Sequence, residues 1–537
     1  MIGRRRDHVA DYVIVGAGSA GCVLAERLSA DDRIEVLLLE QGGSDFGPLI
    51  QMPAALSHPM NMKRYDWGYR TEPEPGLDGR CLAAPRGKVL GGSSSINGMV
   101  YVRGHRSDFD HWASMGAAGW SFDDVLPHFR AIEAAPYGDP VWRGHDGPLH
   151  VTRPAADHAL HQAFLAAAEE AGYPLAEDYN GAEQWGFGPL EQTIWRGTRW
   201  SAANAWLHPA RQRANLILRR GLVTRVLMEG DRAVGVELLR RGRSLRMLAR
   251  REVILAASAF NSPALLLRSG VGPAAELTDL GITVVADRPG VGRNLQDHLE
   301  IYVQQACRQP ISLRRHMSLV GQARVGLQWL LTRGGAGASN HFETGGFICS
   351  PGADYPDIQF HFLPLAIRYD GQRPAGGDGF QVHVGPMRSK ARGSVTLRSS
   401  DPLAPPRITF GYLTAADDLV DFRHCIGISR EIFAQKAFRE LAGEELAPGS
   451  GARSDAELDA FVRAEAESAY HPCGSCRMGA VDDPESVVDP HCRVIGARGL
   501  RVVDSSVFPR ITNGNLNAPT LMVAHKAAVS ILEGEQP

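Results

Sequence analysis

Residues 471 to 476, His-Pro-Cys-Gly-Ser-Cys, carry three side chains that could each do chemistry. His471, Cys473 and Cys476 are borderline or soft metal ligands, Cys473-x-x-Cys476 has the spacing of a dithiol redox pair, and His471 alone could move a proton near neutral pH. A structural zinc needs about four ligands. The further candidates, His491 and Cys492, are adjacent in sequence and fifteen or more residues away, a poor arrangement for holding one ion. A reactive dithiol wants a cysteine at a helix N-terminus, and here Pro472 and Gly474 make a turn with nothing to mark a helix starting at Cys473. These arguments weigh against a metal and a thiol relay and leave His471 as an acid/base group or a core histidine.

The elements that would position such a group begin at the amino terminus. Asp11 to Val15 is a short apolar run suited to a buried parallel strand; Gly16-Ala17-Gly18-Ser19-Ala20-Gly21 follows, and then Val23, Leu24 and Leu28 share one face of a helix. A second apolar run, Val36 to Leu39, ends in Glu40. This is a dinucleotide-binding fingerprint in its required context. Gly16 permits the tight turn, Gly18 lets the backbone approach a pyrophosphate, and Gly21 lets helix and strand pack closely. The helix start offers phosphates unpaired N–H groups and about half a positive charge. Glu40, nineteen residues after Gly21, stands where a carboxylate accepts hydrogen bonds from a ribose 2′-OH. The fingerprint does not separate NAD from FAD. The stretch from Arg86 to Gly98, with Gly91, Gly92 and few bulky side chains, favours flavin, because such a loop can run close against a flat ring.

Six segments carry a resemblance: GAGSAG at 16–21, RGKVLGGSSSINGMVYVRG at 86–104, SPALLLRSGVG at 262–272, PGVGRNLQDHL at 289–299, HPCGSCRMG at 471–479 and RVVDSSVFPRITNGNLNAPTLM at 501–522. With these the chain resembles the glucose-methanol-choline family of FAD-dependent oxidoreductases over nearly its whole length. It is most similar to the bacterial branch that dehydrogenates choline, on QMPAAL at 51–56, YRTEPEP at 69–75, ASNHFETGGFI at 338–348, QFHFLPLAIRYDG at 359–371 and HVGPMRS at 383–389.

The resemblance implies that His471 faces the reactive edge of a flavin with Asn515 as its partner, the histidine taking the hydroxyl proton and the amide fixing the alcohol oxygen. It assigns FAD to Gly16, Gly18, Ser19, Gly21, Glu40, Arg86, Gly91, Gly92, Asn97, Gly98, Val223, Asp504, Asn517 and Thr520. The helix opened by Pro519 is expected to turn its positive end to the flavin. Choline oxidases of the family tether FAD through a histidine where this chain has Ile96, so the FAD is expected to be non-covalent. The implied reaction is oxidation of choline to betaine aldehyde; the alternative is an enzyme for uncharged aliphatic or aromatic primary alcohols. A quaternary ammonium calls for aromatic faces and a carboxylate, for which the candidates are Tyr470, Trp67 and Phe362, with Glu343 as counter-charge. The implied electron acceptor is a quinone or respiratory carrier, with cytoplasmic location and peripheral membrane contact.

Composition is ordinary for a globular protein, and the resemblance implies an α/β fold with an α+β second domain. The 537 residues exceed one ordinary core, and the expected architecture is a Rossmann-type FAD domain from 1–160, 211–310 and 461–537 plus a sheet-and-helices substrate domain from 161–210 and 311–460. A strand over Glu252 to Ala257 leads into a helix capped by Ser262, and Pro519 opens a last helix. The net charge of -3 gives no general attraction for nucleic acid. The run Arg4-Arg5-Arg6 reads as a solvated tail, and no stretch of ~18 apolar residues is present to span a membrane. Eight scattered cysteines argue for a reducing compartment rather than a disulfide framework.

Overall fold

The computed structural model describes residues 8–367 and 377–534. Arg4-Arg5-Arg6 and the end of the 359–371 segment lie outside the described residues. Within them the chain builds two large sheets of seven strands each. In the first, the spatial order is Leu216–Arg220, Val36–Glu40, His8–Val15, Arg243–Leu255, Arg232–Arg240 and Leu222–Glu229, with Leu500–Val502 on the far half of Arg243–Leu255. The strands from 216, 36, 8, 243 and 500 run parallel, and all five residues of Val36–Glu40 are buried. A parallel strand covered on both faces reads as a continuous apolar run, which is why this part of the sheet shows in the sequence.

Helices Ser19–Leu28 and Asn517–Glu533 pack on one another, so the two ends of the chain close one unit. The helix expected from Ser262 instead spans Ser258–Arg268 and has no side-chain cap. Ser262 lies inside it, its hydroxyl donating to Asp504 Oδ2 at 2.6 Å and accepting from the Ala257 N–H at 3.0 Å. A buried carboxylate from the C-terminal strand thus does the work of an N-cap, which no local pattern could reveal.

The second sheet is antiparallel, ordered Ala442–Ala447, Leu299–Cys307, Gly379–Pro386, Ile358–Leu363, Thr344–Ile348 and Gly186–Pro189, with Glu467–Ser468 paired to Leu299–Cys307. Leu299–Cys307 and Glu467–Ser468 belong to this sheet, although both fall in residues that the sequence assigns to the cofactor domain. Helices Ala159–Glu170 and Asp417–Phe433 cover one face with an apolar cluster that includes Phe362, Phe380 and Phe438. The other face carries Tyr302, His383 and His361 in one cross-strand row. Side chains alternate between faces with period two, so one face is packed core and the other is free to be a site.

The C-terminal helix is also tied to helix Phe122–Ile132, where His525 and His128 meet Nδ1 to Nδ1 at 3.0 Å. Burial, helped by Lys526 at His128 and by His128 and Arg27 at His525, lowers both pKa values to about 4. Between pH 6.5 and about 4 the unfolded chain therefore binds more protons than the folded one, so stability falls as pH drops through that window and is unaffected above it. With a discount for partial exposure, the pair should account for ~1–2 kcal/mol. Urea unfolding at pH 7 and pH 5 checks this: the double variant His128→Gln, His525→Gln should lose less stability on acidification than the parent.

Candidate active site

One cavity of about 880 Å³ runs from the fingerprint turn to His471 and Asn515, near the upper end of the ~300–1,000 Å³ usual for ligand and cofactor sites. Gly16 leaves the first strand at φ +102°, and a Cβ there would lie 2.4 Å from the Ala256 carbonyl oxygen. Gly21 packs so tightly on Gly16 that a Cβ would meet its carbonyl oxygen at 1.8 Å. At Gly18, by contrast, a Cβ would meet only Gly92 Cα, at 3.9 Å, and the space it would fill belongs to the cavity. That is a cradle kept open for a ligand rather than for packing.

The second glycine-rich element lies directly on the first. Gly91, at φ +83°, donates its N–H to the Ala17 carbonyl at 2.8 Å, and Gly92 approaches Gly18. Glu40 is buried at the cavity wall, accepting from the N–H groups of Ala17 at 2.9 Å and Gly42 at 2.6 Å. Burial raises its pKa and the backbone donors oppose the rise. Ser19 lines the cavity and donates to Asn517 Oδ1 at 2.8 Å, joining the starts of two helices. Arg86, Asn97, Gly98, Val223, Asp504 and Thr520 also border the cavity. Gly21 and Gly91 stand behind its wall and shape the turns. The donor set, with a nucleotide fingerprint, a ribose-side carboxylate and a helix N-terminus of Leu516, Asn517 and Thr520 turned inward, fits FAD.

At the other end, Asn515 Nδ2 and His471 Nε2 are 3.1 Å apart, and His471 Nδ1 is 3.0 Å from His298 Nδ1. An amide N–H can only donate, so Nε2 of His471 is the unprotonated nitrogen and Nδ1 carries the proton toward His298. Burial, reinforced by His298, His361 and Arg86, lowers the His471 pKa well below the ordinary range. The main-chain N–H of His471 donates to Asp297 Oδ1 at 2.6 Å, and that carboxylate also takes the hydroxyls of Tyr412 and Ser468. Asn515 Oδ1 accepts from Gln359 Nε2 at 3.2 Å, which fixes the amide orientation. The cysteines of the motif are fully buried and free, and burial pushes both thiols well above their usual range. Main-chain bonds hold them, Cys473 N–H to the Gln296 carbonyl and Cys476 N–H to the Ser506 carbonyl. Among the described residues no group of three potential metal ligands is present. The opening motif places its histidine on a turn, with the two buried cysteines packed behind it.

The four substrate-contact candidates separate. Tyr470 and Trp67 line the cavity, Tyr470 at φ +64° with its carbonyl accepting from Arg86 Nη2 at 2.6 Å. Phe362 is fully buried and stacks on Phe164 with centroids 4.6 Å apart, on the helix-covered face of the sheet. Its neighbour His361 is the residue on the cavity. Likewise Glu343 is bound by the Ser339 hydroxyl while Phe342 lines the cavity. Both corrections are one-residue steps in extended chain, which move a side chain to the opposite face. The carboxylate that does reach the cavity is Glu300, with its Oε1 3.0 Å from His383 Nδ1. The sequence held a signal for it: in Leu299–Cys307, positions 300 and 302 alternate with the buried Leu299, Ile301 and Val303.

A nucleotide cradle continuous with a neutral histidine and an amide defines the class, an FAD-dependent alcohol oxidoreductase. The GMC oxidoreductase family model matches residues 10–300 in its N-terminal part and 389–524 in its C-terminal part, and the chain belongs to this family. It is 59% identical over 525 residues, 97% of this chain and 95% of the relative, to an oxygen-dependent choline dehydrogenase of Brucella canis. It is 57% identical over 529 residues, 98% and 96%, to one of Rhizobium etli. The crystal structure of pyridoxine 4-oxidase from Mesorbium loti covers 98% of this chain and 100% of its own with a TM-score of 0.88 at 34% identity.

Proposed function

We propose that the protein oxidises the primary alcohol of choline to betaine aldehyde. The observation that carries this is Glu300: its carboxylate stands on the same cavity as the His471–Asn515 pair, with Tyr302, Phe342, Tyr470 and Trp67 supplying aromatic faces. A trimethylammonium group donates no hydrogen bond, so a carboxylate and ring faces are the means of binding it. Bound FAD supplies the acceptor for the hydride that leaves the alcohol carbon. The chain's own residues prepare that departure. An alcohol oxygen entering between the pair takes over the hydrogen bond from Asn515 Nδ2 and donates its proton to the His471 Nε2 lone pair thereby freed, and the amide stabilises the negative charge that develops as the proton leaves. His298 holds the other ring nitrogen in the protonated state this requires.

Comparing kcat/KM for choline and its neutral isostere 3,3-dimethylbutanol tests the assignment. Choline is expected to be preferred by at least about tenfold, from one charge pair and one or more cation–π contacts; equal values would indicate an enzyme of uncharged alcohols. Ile96 borders the cavity where a covalent tether would need a nucleophile, and denaturation in acid should release all the flavin into the supernatant. For reoxidation we propose a quinone or respiratory carrier; the relatives' own names, oxygen-dependent choline dehydrogenase, favour oxygen instead. Parallel assays with oxygen and with an artificial acceptor check it, and equal rates in both would overturn it.

A further inference from the structure

Among the described residues three arginines are buried to 2% exposure or less, Arg103, Arg143 and Arg199. Two of them are neutralised, Arg103 by Glu133 at 2.5 Å and Arg143 by Glu133 at 2.9 Å, Glu191 at 2.8 Å and Asp178 at 2.7 Å. Arg199 is not. Burial is the one influence on its pKa, lowering it to about 9, so the guanidinium keeps its charge at neutral pH with no carboxylate to offset it. Taking an ion out of water without a counter-ion is strongly unfavourable. A charge held in that way needs a reason.

Hydrogen bonding supplies only part of it. Arg199 Nε donates to the Ile50 carbonyl at 2.9 Å, and Nη1 donates to the carbonyls of Ser94 at 3.2 Å and Asn97 at 2.7 Å and to Asn97 Oδ1 at 2.8 Å. Nη2 is buried without an acceptor among the described residues, and a neutral amide could serve carbonyl oxygens without the desolvation of an ion. What these bonds grip is a wall of the cavity from behind: Ile96, Asn97 and Gly98 line it, and Arg199 does not. The Gly98 carbonyl is held in turn by Asn340 Nδ2 at 2.7 Å. The C=O and N–H of one trans peptide point in opposite directions. With the Asn97 carbonyl turned to Arg199, the Gly98 N–H is turned toward the cavity, where a Cβ on Gly98 would meet nothing within 4 Å. The guanidinium thus polarises a donor that faces the ligand.

We propose that Arg199 is a positioning residue that sets the redox balance of the bound FAD, its fixed charge favouring the reduced, anionic flavin over the oxidised, neutral one. In the reaction the C–H electron pair and its hydrogen pass to the flavin, which gains one negative charge, while the hydroxyl proton passes to His471. A positive charge fixed in a low-dielectric wall lowers the energy of the charged state, leaves the neutral state nearly unaffected, and needs no reorganisation as the electrons arrive. Arg86, which borders the cavity itself, is the contrasting case: Asp297 and Asp66 act on it and offset its charge. Arg199 has no such offset.

The test is the midpoint potential of FAD in the holoenzyme, read by equilibrium reduction against a reference dye, with the affinity for oxidised FAD measured alongside. Arg199→Gln keeps hydrogen-bond donors and removes the charge. It should lower the ratio of reduced-FAD to oxidised-FAD affinity by about tenfold, the order expected of one unit charge acting on another across a protein wall, which is a fall of ~30 mV in the potential. Arg199→Lys restores the charge without the fork that spans Ile50, Ser94 and Asn97, and should hold the ratio within about threefold of the parent when all three proteins are read at about pH 6, where a buried lysine better keeps its proton. A role confined to holding the loop would weaken both forms of FAD together and leave the potential where it was. An unchanged potential in Arg199→Gln, or a fall in Arg199→Lys as large as that in Arg199→Gln, would overturn the proposal. Should Arg199→Gln not fold, Arg199→Lys decides alone: a ratio within about threefold upholds the proposal and a tenfold fall overturns it.

Discussion

Replacing His471 by alanine is expected to lower kcat/KM for choline by about 10²- to 10⁴-fold, the range set by loss of a positioned general base, with flavin content unchanged. The size follows from the absence of a substitute. The groups nearest the lost imidazole are the Asn515 amide, 3.1 Å from Nε2, and His298 behind Nδ1; the amide is no base, and the unprotonated Nδ1 of His298 lies a ring's width further from the alcohol. Burial has lowered the His298 pKa to about 3, so it is a weak base even where it is reachable. Flavin should still load, because His471 belongs to the substrate end of the cavity and the cradle is built from the fingerprint turn, the 86–98 element and the C-terminal helix. Asn515→Ala should cost about 10²-fold, as removal of a single donor to a developing oxyanion does. The double variant should be little worse than His471→Ala alone, since the amide stabilises a charge that forms only when the base takes the proton. Loss of flavin from His471→Ala, or additive losses, would contradict this division of roles. Rapid mixing with saturating substrate and the flavin absorbance before mixing separate the two.

Local chemistry explains why the cofactor half was readable in the sequence and much of the substrate half was not. Gly16, Gly18 and Gly21 are required by steric contacts within one strand-turn-helix, so spacing alone reveals them. The membership of His471 and Asn515 in one site depended on family resemblance, since 44 residues separate them and the turn at Gly474 gives no hint of Asn515. The substrate face comes from a sheet whose strands start at 299, 344, 358 and 379, and which side of each strand meets the cavity is decided by helices that cover the other side. A one-residue choice, once in strand Ile358–Leu363 and once just before strand Thr344–Ile348, then sends attention to Phe362 and Glu343 instead of His361 and Phe342. Residues 299–307 fall inside the range expected for the cofactor domain for the same reason: the alternation of Leu299–Cys307 is plain, but its partner is more than 70 residues away in Gly379–Pro386.

Glu300→Gln should lower kcat/KM for choline by about 10²-fold, within the ~2–5 kcal/mol that truncating one partner of a buried charge pair costs, and leave 3,3-dimethylbutanol within about threefold of the parent. The substitution keeps the size of the side chain and an oxygen that can accept from His383 Nδ1, so the row of Tyr302, His383 and His361 need not move. What it removes is the charge. Choline's methyl groups occupy the same volume in both substrates, so the apolar contacts with Phe342 and Tyr302 cancel in the comparison. The aromatic faces alone retain ~0.5–2 kcal/mol per favourable ring for the cation, which is why the loss should be partial. Because the ammonium is bound equally in the ground state and the transition state, the change should fall mainly on KM, with kcat little altered. A kcat loss shared by both substrates would instead mean that Glu300 acts through His383 on the orientation of the catalytic face, and that the cation is held by the rings without a counter-charge.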